Sequence, residues 1–327
     1  MSLPASLQSR LRLPLIAAPM FLVSGPALVT AACRAGVIGS FPTANCRTVE
    51  ELDRWLTEMG EAQKRSVDET GRAPAPFCAN LIVHRSNPRV PGDLAAVLRH
   101  KVEMVITSVG SPDPVLKPLK DAGCLVFADV ASVRHAEKAV AAGVDGLVLL
   151  TAGAGGQTGW VNPFAFVRAV RAFWDGTLVM AGGMSDGQAI YAAQALGCDL
   201  AYMGTRFIAT RESLAKDAYK AMLVGSRLDD VQLTRAFTGL ETNMLRPSIE
   251  AAGLDPDNLP VRGAIDIAKD INAAERDKPD AKRWKDIWSA GHSVSGVADV
   301  PPVAELIERT AREYAQALDR APRRLSQ

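Results

Sequence analysis

The 327-residue chain has almost no net charge: 37 Lys and Arg stand against 36 Asp and Glu, a balance of +1. Its basic residues are scattered, and no basic run recurs with aromatics. Neither nucleic acid nor an anionic membrane surface is therefore implied as a partner. No apolar run approaches the roughly 20 residues that a membrane span requires. The N-terminus has no basic region followed by an apolar stretch, which argues against a secretory signal. Five cysteines (Cys33, Cys46, Cys78, Cys124, Cys198) form no CxxC pair and no metal-ligand spacing, so no metal site is expected. Their odd number and apolar neighbours read as reduced, buried thiols in a cytoplasmic protein. There is no solenoid repeat, no low-complexity tract and no Gly-rich dinucleotide fingerprint of the Rossmann type.

What is present is a regular alternation. Short apolar runs read as strands at Leu15–Ala18, Val37–Ser40, Phe77–Leu81, Val102–Thr107, Leu125–Ala128, Gly146–Leu150, Leu178–Ala181 and Leu200–Met203. Helical spacing lies between them, at Pro26–Ala35, Val49–Lys64, Asp93–His100, Pro112–Ala122, Ser132–Ala142, Pro163–Trp174 and Ser185–Leu196. Ser185-Asp186-Gly187-Gln188 suits a capping box at the last of these. Eight strand–helix units predict an α/β chain folded as a (β/α)8 TIM barrel, with a doubly wound sheet as the rival. Residues 213–285 break the rhythm. They are polar and helical in pattern, ending in the charged stretch Glu275–Lys285. The division expected is a barrel over 1–212, a helical insertion over the barrel mouth at 213–285, and a site loop with a returning helix, Val303–Leu318, within 286–327.

In such a barrel the residues just after each strand face the active site. Two late turns stand out, Ala181-Gly182-Gly183-Met184-Ser185-Asp186-Gly187 and Met203-Gly204-Thr205-Arg206-Phe207. Each runs from strand through small residues to a helix start, a setting whose free N–H groups suit a phosphate. After the first strand come Ala18-Pro19-Met20, after the third Asn80, and after the fourth Ser108 and Gly110. After the fifth comes Asp129, which either faces the site or caps the next helix. After the sixth comes Gly153-Ala154-Gly155-Gly156-Gln157-Thr158-Gly159, whose glycines would let a flat ligand approach the backbone.

These residues resemble the nitronate monooxygenase family, formerly called 2-nitropropane dioxygenases, flavin-dependent (β/α)8 barrels. The resemblance runs through Ala18-Pro19-Met20, Asn80-Leu81, Gly153–Gly159, Ala181-Gly182-Gly183 and Met203-Gly204-Thr205-Arg206-Phe207, and it ends at Ile287-Trp288-Ser289-Ala290-Gly291. It implies FMN as cofactor. Ala18, Pro19 and Met20 would back the ring, and Asn80 would bond its polar edge. Gly155 and Gly156 would lie near its reactive side. Ala181, Gly182, Gly183, Met203, Gly204 and Thr205 would hold the phosphate. Two places depart from the family. Many members read Glu-Ala-Gly-Gly-His in the strand-six loop, with that His as catalytic base; here Gln157 stands in its place, and an amide cannot accept a proton near pH 7. Several relatives carry Lys after strand five; here it is Asp129, beside the flavin. Of the four histidines (His84, His100, His135, His292), His292 follows the last family motif and is the candidate surrogate base; the alternative is a solvent-facing loop residue.

The implied activity is oxidation of alkyl nitronates with O2 to carbonyl compound and nitrite, with a small molecule and O2 as the only partners. Two other readings stay open. One is an NAD(P)H-dependent flavin reductase acting on quinones or enoyl thioesters. The other is a phosphate-ligand barrel without redox chemistry. The sequence leaves the oligomeric state open, a homo-oligomer included.

Overall fold

The computed structural model describes residues 3–260 and 286–325. Eight parallel strands close a barrel: β1 (Leu15–Ala17), β2 (Ile38–Pro42), β3 (Phe77–Ile82), β4 (Met104–Ser108), β5 (Leu125–Val130), β6 (Gly146–Leu150), β8 (Thr177–Ala181) and β9 (Leu200–Met203). A two-residue strand, β7 (Gly156–Gln157), lies outside it in the loop after β6. Closure is made by β1 on β9, with Ala17 opposite Met203. The (β/α)8 expectation therefore holds, and the doubly wound alternative does not.

Period-two alternation divides the strand residues between two apolar layers. Along β5, Val126, Ala128 and Val130 face the surrounding helices, whereas Phe127 points inward. Inside, Phe127 joins Ile16, Cys78, Met104, Ile106, Val148, Val179 and Leu200. Gly146 is required beside it, since a Cβ there would meet the Phe127 ring at 2.6 Å. The barrel centre is thus filled, and only its C-terminal end is free to hold a ligand. All five cysteines are free and buried, and burial pushes the thiols of Cys33, Cys46, Cys124 and Cys198 up to about 12.

Two expected helix starts shift. The helix Gly187–Leu196 is capped by Asp186, not Ser185; the Asp186 carboxylate accepts from the Ala189 amide at 2.8 Å. The helix Val133–Ala142 is capped by Ser132, so Asp129 does not serve as its cap. The long helix Val303–Leu325 packs between Gly187–Leu196 and Pro26–Arg34. There the Glu313 carboxylate accepts from the Gly187 amide at 3.0 Å. The last helix of the chain thereby fills the eighth place in the outer ring, and residues 204–302 lie between the eighth strand and that helix.

The described part of the expected helical insertion, residues 213–260, is not wholly helical. Helices Asp217–Gly225 and Arg246–Ala251 are present, but strands β10 (Val231–Thr234) and β11 (Thr242–Leu245) pair antiparallel between them. β11 then pairs with β7, giving a three-stranded sheet over the mouth. Four-residue runs carry too little periodicity to separate strand from helix, and here the partner strand lies some 85 residues away in the chain. The charged stretch 275–285 lies outside the described residues. Among the described residues, no helix is long and apolar enough to cross a membrane, and no His/Cys/Asp/Glu group could hold a metal ion.

Candidate active site

A cavity of about 350 Å³ opens at the C-terminal ends of the barrel strands. That size is ordinary for a small-molecule site, and the place is where barrels of this type keep one. Its floor is the uppermost inward-facing layer: Ala18, Asn80, Ser108, Asp129, Leu150 and Tyr202. Asn80 is buried, and its amide donates to the Ile106 carbonyl and to Ser108 Oγ, both at 3.1 Å. Asp129 is different. Its Oδ1 is enclosed without a hydrogen-bond partner, and burial pushes the carboxyl up to about 7. Tyr202, across the floor, has its hydroxyl pushed well above the ordinary phenol value, first by burial and then by the Asp129 charge.

The wall after β8 and β9 is built from Ala181, Gly182, Gly183, Gly204 and Thr205, all of which line the cavity. Gly183 has φ of +74°, and a Cβ there would meet nothing within 4 Å. Gly183 thus leaves an open notch in the cavity lining. The Thr205 hydroxyl accepts from the Gly291 amide at 2.9 Å, tying this wall to the C-terminal segment. Met203 does not belong to it. Tyr202 points inward, so its neighbour Met203 points outward and is fully buried beneath the helices. The Met203 side chain, expected among the phosphate-holding residues, therefore does not reach the cavity, a direction that strand alternation marks.

The loop after β6 forms the adjoining wall, since β6 pairs directly with β8. Gly155, Gly156 and Gln157 line the cavity, with Gln157 in β7 opposite Thr242 of β11. The reason for the glycines differs from expectation. A Cβ on Gly155 would lie 2.7 Å from the Gly291 amide nitrogen, and one on Gly153 would lie 2.7 Å from His292 Nδ1. The chain's own C-terminal segment, rather than a flat ligand, makes the close approach. The loop is pinned further by Asn243, whose side chain donates to the Ala154 carbonyl at 2.8 Å, and by the His292 amide donating to the Gly153 carbonyl at 2.9 Å.

His292 itself is exposed and does not line the cavity, so the structure does not bring the candidate surrogate base to the site. No histidine lines the cavity at all. His84 is engaged with Ser86 Oγ at 2.7 Å, His100 with Asp53 at 2.8 Å, and His135 is exposed on its helix.

The roof is where sequence reasoning missed most. Lys216, Tyr219, Thr238 and Leu240 line the cavity from the intervening stretch, beside Trp288 and Ser289 of the recognised motif. Tyr219 stacks on Trp288 with ring centroids 5.0 Å apart, and its hydroxyl donates to the Ser289 carbonyl. Nothing in the helical spacing of 217–225 distinguished Tyr219 from a core residue. Two further lining residues, Leu22 and Val109, hold φ of +59° and +55°. Such backbone is rare for branched side chains, and it clusters at ligand sites where the surroundings enforce it.

The comparisons with known proteins bear on the family and the fold. The family model described as "Nitronate monooxygenase" matches residues 6–313. A nitronate monooxygenase of Paraburkholderia phytofirmans is 29% identical, over 94% of this chain and 93% of its own. A (3aS,4S,5R,7aS)-5-hydroxy-7a-methyl-1-oxo-octahydro-1H-indene-4-carboxyl-CoA dehydrogenase of Rhodococcus jostii is 26% identical, over 88% of this chain and 76% of its own. Among solved structures, a nitroalkane oxidase of Streptomyces ansochromogenes superposes with a TM-score of 0.78 at 26% identity, covering 96% of this chain and 99% of that one. With the family model spanning most of its length, the chain belongs to the nitronate monooxygenase family of oxidoreductases.

Proposed function

We propose that the cavity holds FMN and that the protein oxidises alkyl nitronates with O2 to carbonyl compound and nitrite. The observation that carries this reading is the pairing of an open notch at Gly183 with a wall that presents Gln157 and no histidine. The notch, with Gly182, Gly204 and Thr205 around it, suits a phosphate. Ala18, Pro19 and Met20 would back the ring, and Gly155 and Gly156 would lie beside its reactive side. FMN rather than FAD is favoured because the sequence has no adenine-binding Rossmann segment. When bound, the flavin supplies electron transfer between substrate and O2. The chain's residues bind, orient and exclude water. Gln157 donates a hydrogen bond to the nitronate oxygens, and Tyr219 on Trp288 covers them. A nitronate already lacks its α-proton, so the wall needs no base, whereas a neutral nitroalkane would call for one, a contribution of typically 10²–10⁴-fold.

Initial rates on nitronate and on neutral nitroalkane, prepared separately and mixed quickly, test the reading. A strong preference for the nitronate is expected. Equal kcat/KM on the two forms would defeat it.

One observation favours a second reading, an NAD(P)H-dependent flavin reductase acting on quinones or enoyl thioesters. The R. jostii relative is named for a CoA thioester, and a wall without a proton acceptor at position 157 suits hydride chemistry equally well. Rapid anaerobic bleaching of the flavin by NADH or NADPH would select it.

A further inference from the structure

We propose that Asp129 sits protonated against the ring of the bound flavin as a hydrogen-bond donor, so that cofactor binding and proton uptake are coupled. This rests on the FMN reading above and concerns a residue whose part there is otherwise unassigned.

The geometry comes first. Asp129 is the one carboxyl in the cavity floor, held there by the inward register of β5 directly above Phe127. Its enclosed Oδ1 has no partner, whereas its polar neighbours on the floor, Asn80 and Ser108, satisfy each other. An enclosed oxygen left unpaired is costly as part of a carboxylate, and a proton on the carboxyl relieves that cost, while the half-buried side chain still borders the cavity.

The surroundings decide the charge. The ionisable groups that face Asp129 are Tyr202 from β9 and Cys78 from β3, and burial pushes both well above their ordinary values, so both stay neutral at pH 7. β4 and β6, which flank β5, contribute Ser108, Val148 and Leu150, none of them titratable. The cation in the cavity wall, Lys216, is at the rim, paired with Asp286 at 3.0 Å. Among the described residues no cation compensates a carboxylate at the floor, and burial pushes the Asp129 carboxyl up to about 7.

A flat ring laid over the floor removes the remaining water and penalises the carboxylate further. It also brings carbonyl and ring-nitrogen acceptors, which a carboxylic acid can serve and a carboxylate repels. A reduced flavin, which carries negative charge, sharpens the same preference. The sign follows. Below pH 7 Asp129 already holds its proton and FMN binds without exchanging one there. Above pH 7 the proton must be taken up on binding, so affinity falls by up to about tenfold per pH unit.

FMN titrated into the apoprotein by fluorescence quenching from pH 5.5 to 9 tests this, with Asp129→Asn beside the wild type. The wild-type Kd is expected to rise about tenfold or more between pH 6 and 8.5 relative to Asp129→Asn, which keeps a donor and cannot ionise. The phosphate of FMN titrates alike with both proteins, so the ratio isolates the carboxyl. Calorimetry at pH 8 in two buffers of different ionisation enthalpy gives a second readout. The wild type should take up close to one proton more per FMN than Asp129→Asn. A constant Kd ratio across pH, an affinity that rises with pH, or equal proton uptake would overturn the proposal. Should the variant not fold, the wild type's proton uptake at pH 8 still decides: none would refute it. Failure of the wild type to bind FMN at any pH would instead overturn the FMN reading itself.

Discussion

Two glycine-rich loops stand side by side at the mouth, after the paired strands β6 and β8, and two of their glycines differ in what borders them. After β8, Gly183 borders empty space, and its backbone lies in the left-handed region. After β6, Gly155 is pressed against the backbone of Ala290 and Gly291, and Gly153 against the His292 ring. The first loop leaves open space in the cavity lining at Gly183. The second gives up its side chains so that a segment some 135 residues later can lie on it and hold Gln157 in place. The same residue type thus borders open space in one loop and a seam between distant segments of the chain in the other, and only the neighbour tells them apart.

Breaking the first loop should have the largest effect. Gly183→Val places a branched side chain in the notch and in a backbone region that costs about 1–3 kcal/mol to occupy. Flavin absorbance near 450 nm per mole of purified protein should fall to a few per cent of wild type. Full flavin content would remove the phosphate from this wall.

Breaking the second loop should act on the fold. In Gly155→Ala the new methyl meets backbone, which cannot rotate away, and overpacking of this kind costs typically 1–3 kcal/mol. Thermal unfolding should register the loss, with flavin affinity reduced far less than in Gly183→Val. If Gly155→Ala lost its flavin and kept its stability, the two loops would have the same role and the contrast would fail.

Gln157 sharpens the comparison at the substrate. Gln157→Ala should lose roughly 1–3 kcal/mol in kcat/KM on the nitronate, the scale of a hydrogen bond to a charged group. Its flavin content should not change. Gln157→His should raise activity on neutral nitroalkanes by supplying a base. Release of FMN from Gln157→Ala, with turnover per bound flavin unchanged, would reassign the residue to the cofactor.

The smallest effect is expected at His292. Its ring is outside the cavity, so His292→Ala should change kcat/KM on either substrate form by less than about 0.5 kcal/mol. Loss of activity confined to the neutral nitroalkane would return it to the site as a base.

The barrel was legible because each strand and helix is specified locally. Apolar runs of four to six residues between well-capped helices carry their own signal, and eight of them leave few topologies. The two late turns were legible for the same reason: Gly182, Gly183, Gly204 and Thr205 lie within a few residues of the strands that position them, and all four line the cavity. The side chain of Met203 points away from the cavity, and the alternation that turns it outward was readable beside Tyr202. His292 was placed in the site by motif adjacency, but its ring faces solvent, because the 3-10 turn beginning there points Ser293 inward instead.

What the chain's sequence determined by itself was the barrel, the place of the mouth and the glycine-lined wall after β8 and β9, since these follow from periodicity and short-range turn chemistry. What only the tertiary structure decided were the contacts between distant segments. Pairing of β7 with β11, the seating of Gly291 on Gly155, the stack of Tyr219 on Trp288 and the isolation of the Asp129 carboxyl each join residues from some 70 to 135 positions apart or depend on which groups the closed barrel leaves unpaired. Such contacts arise from packing and burial, which no local pattern encodes.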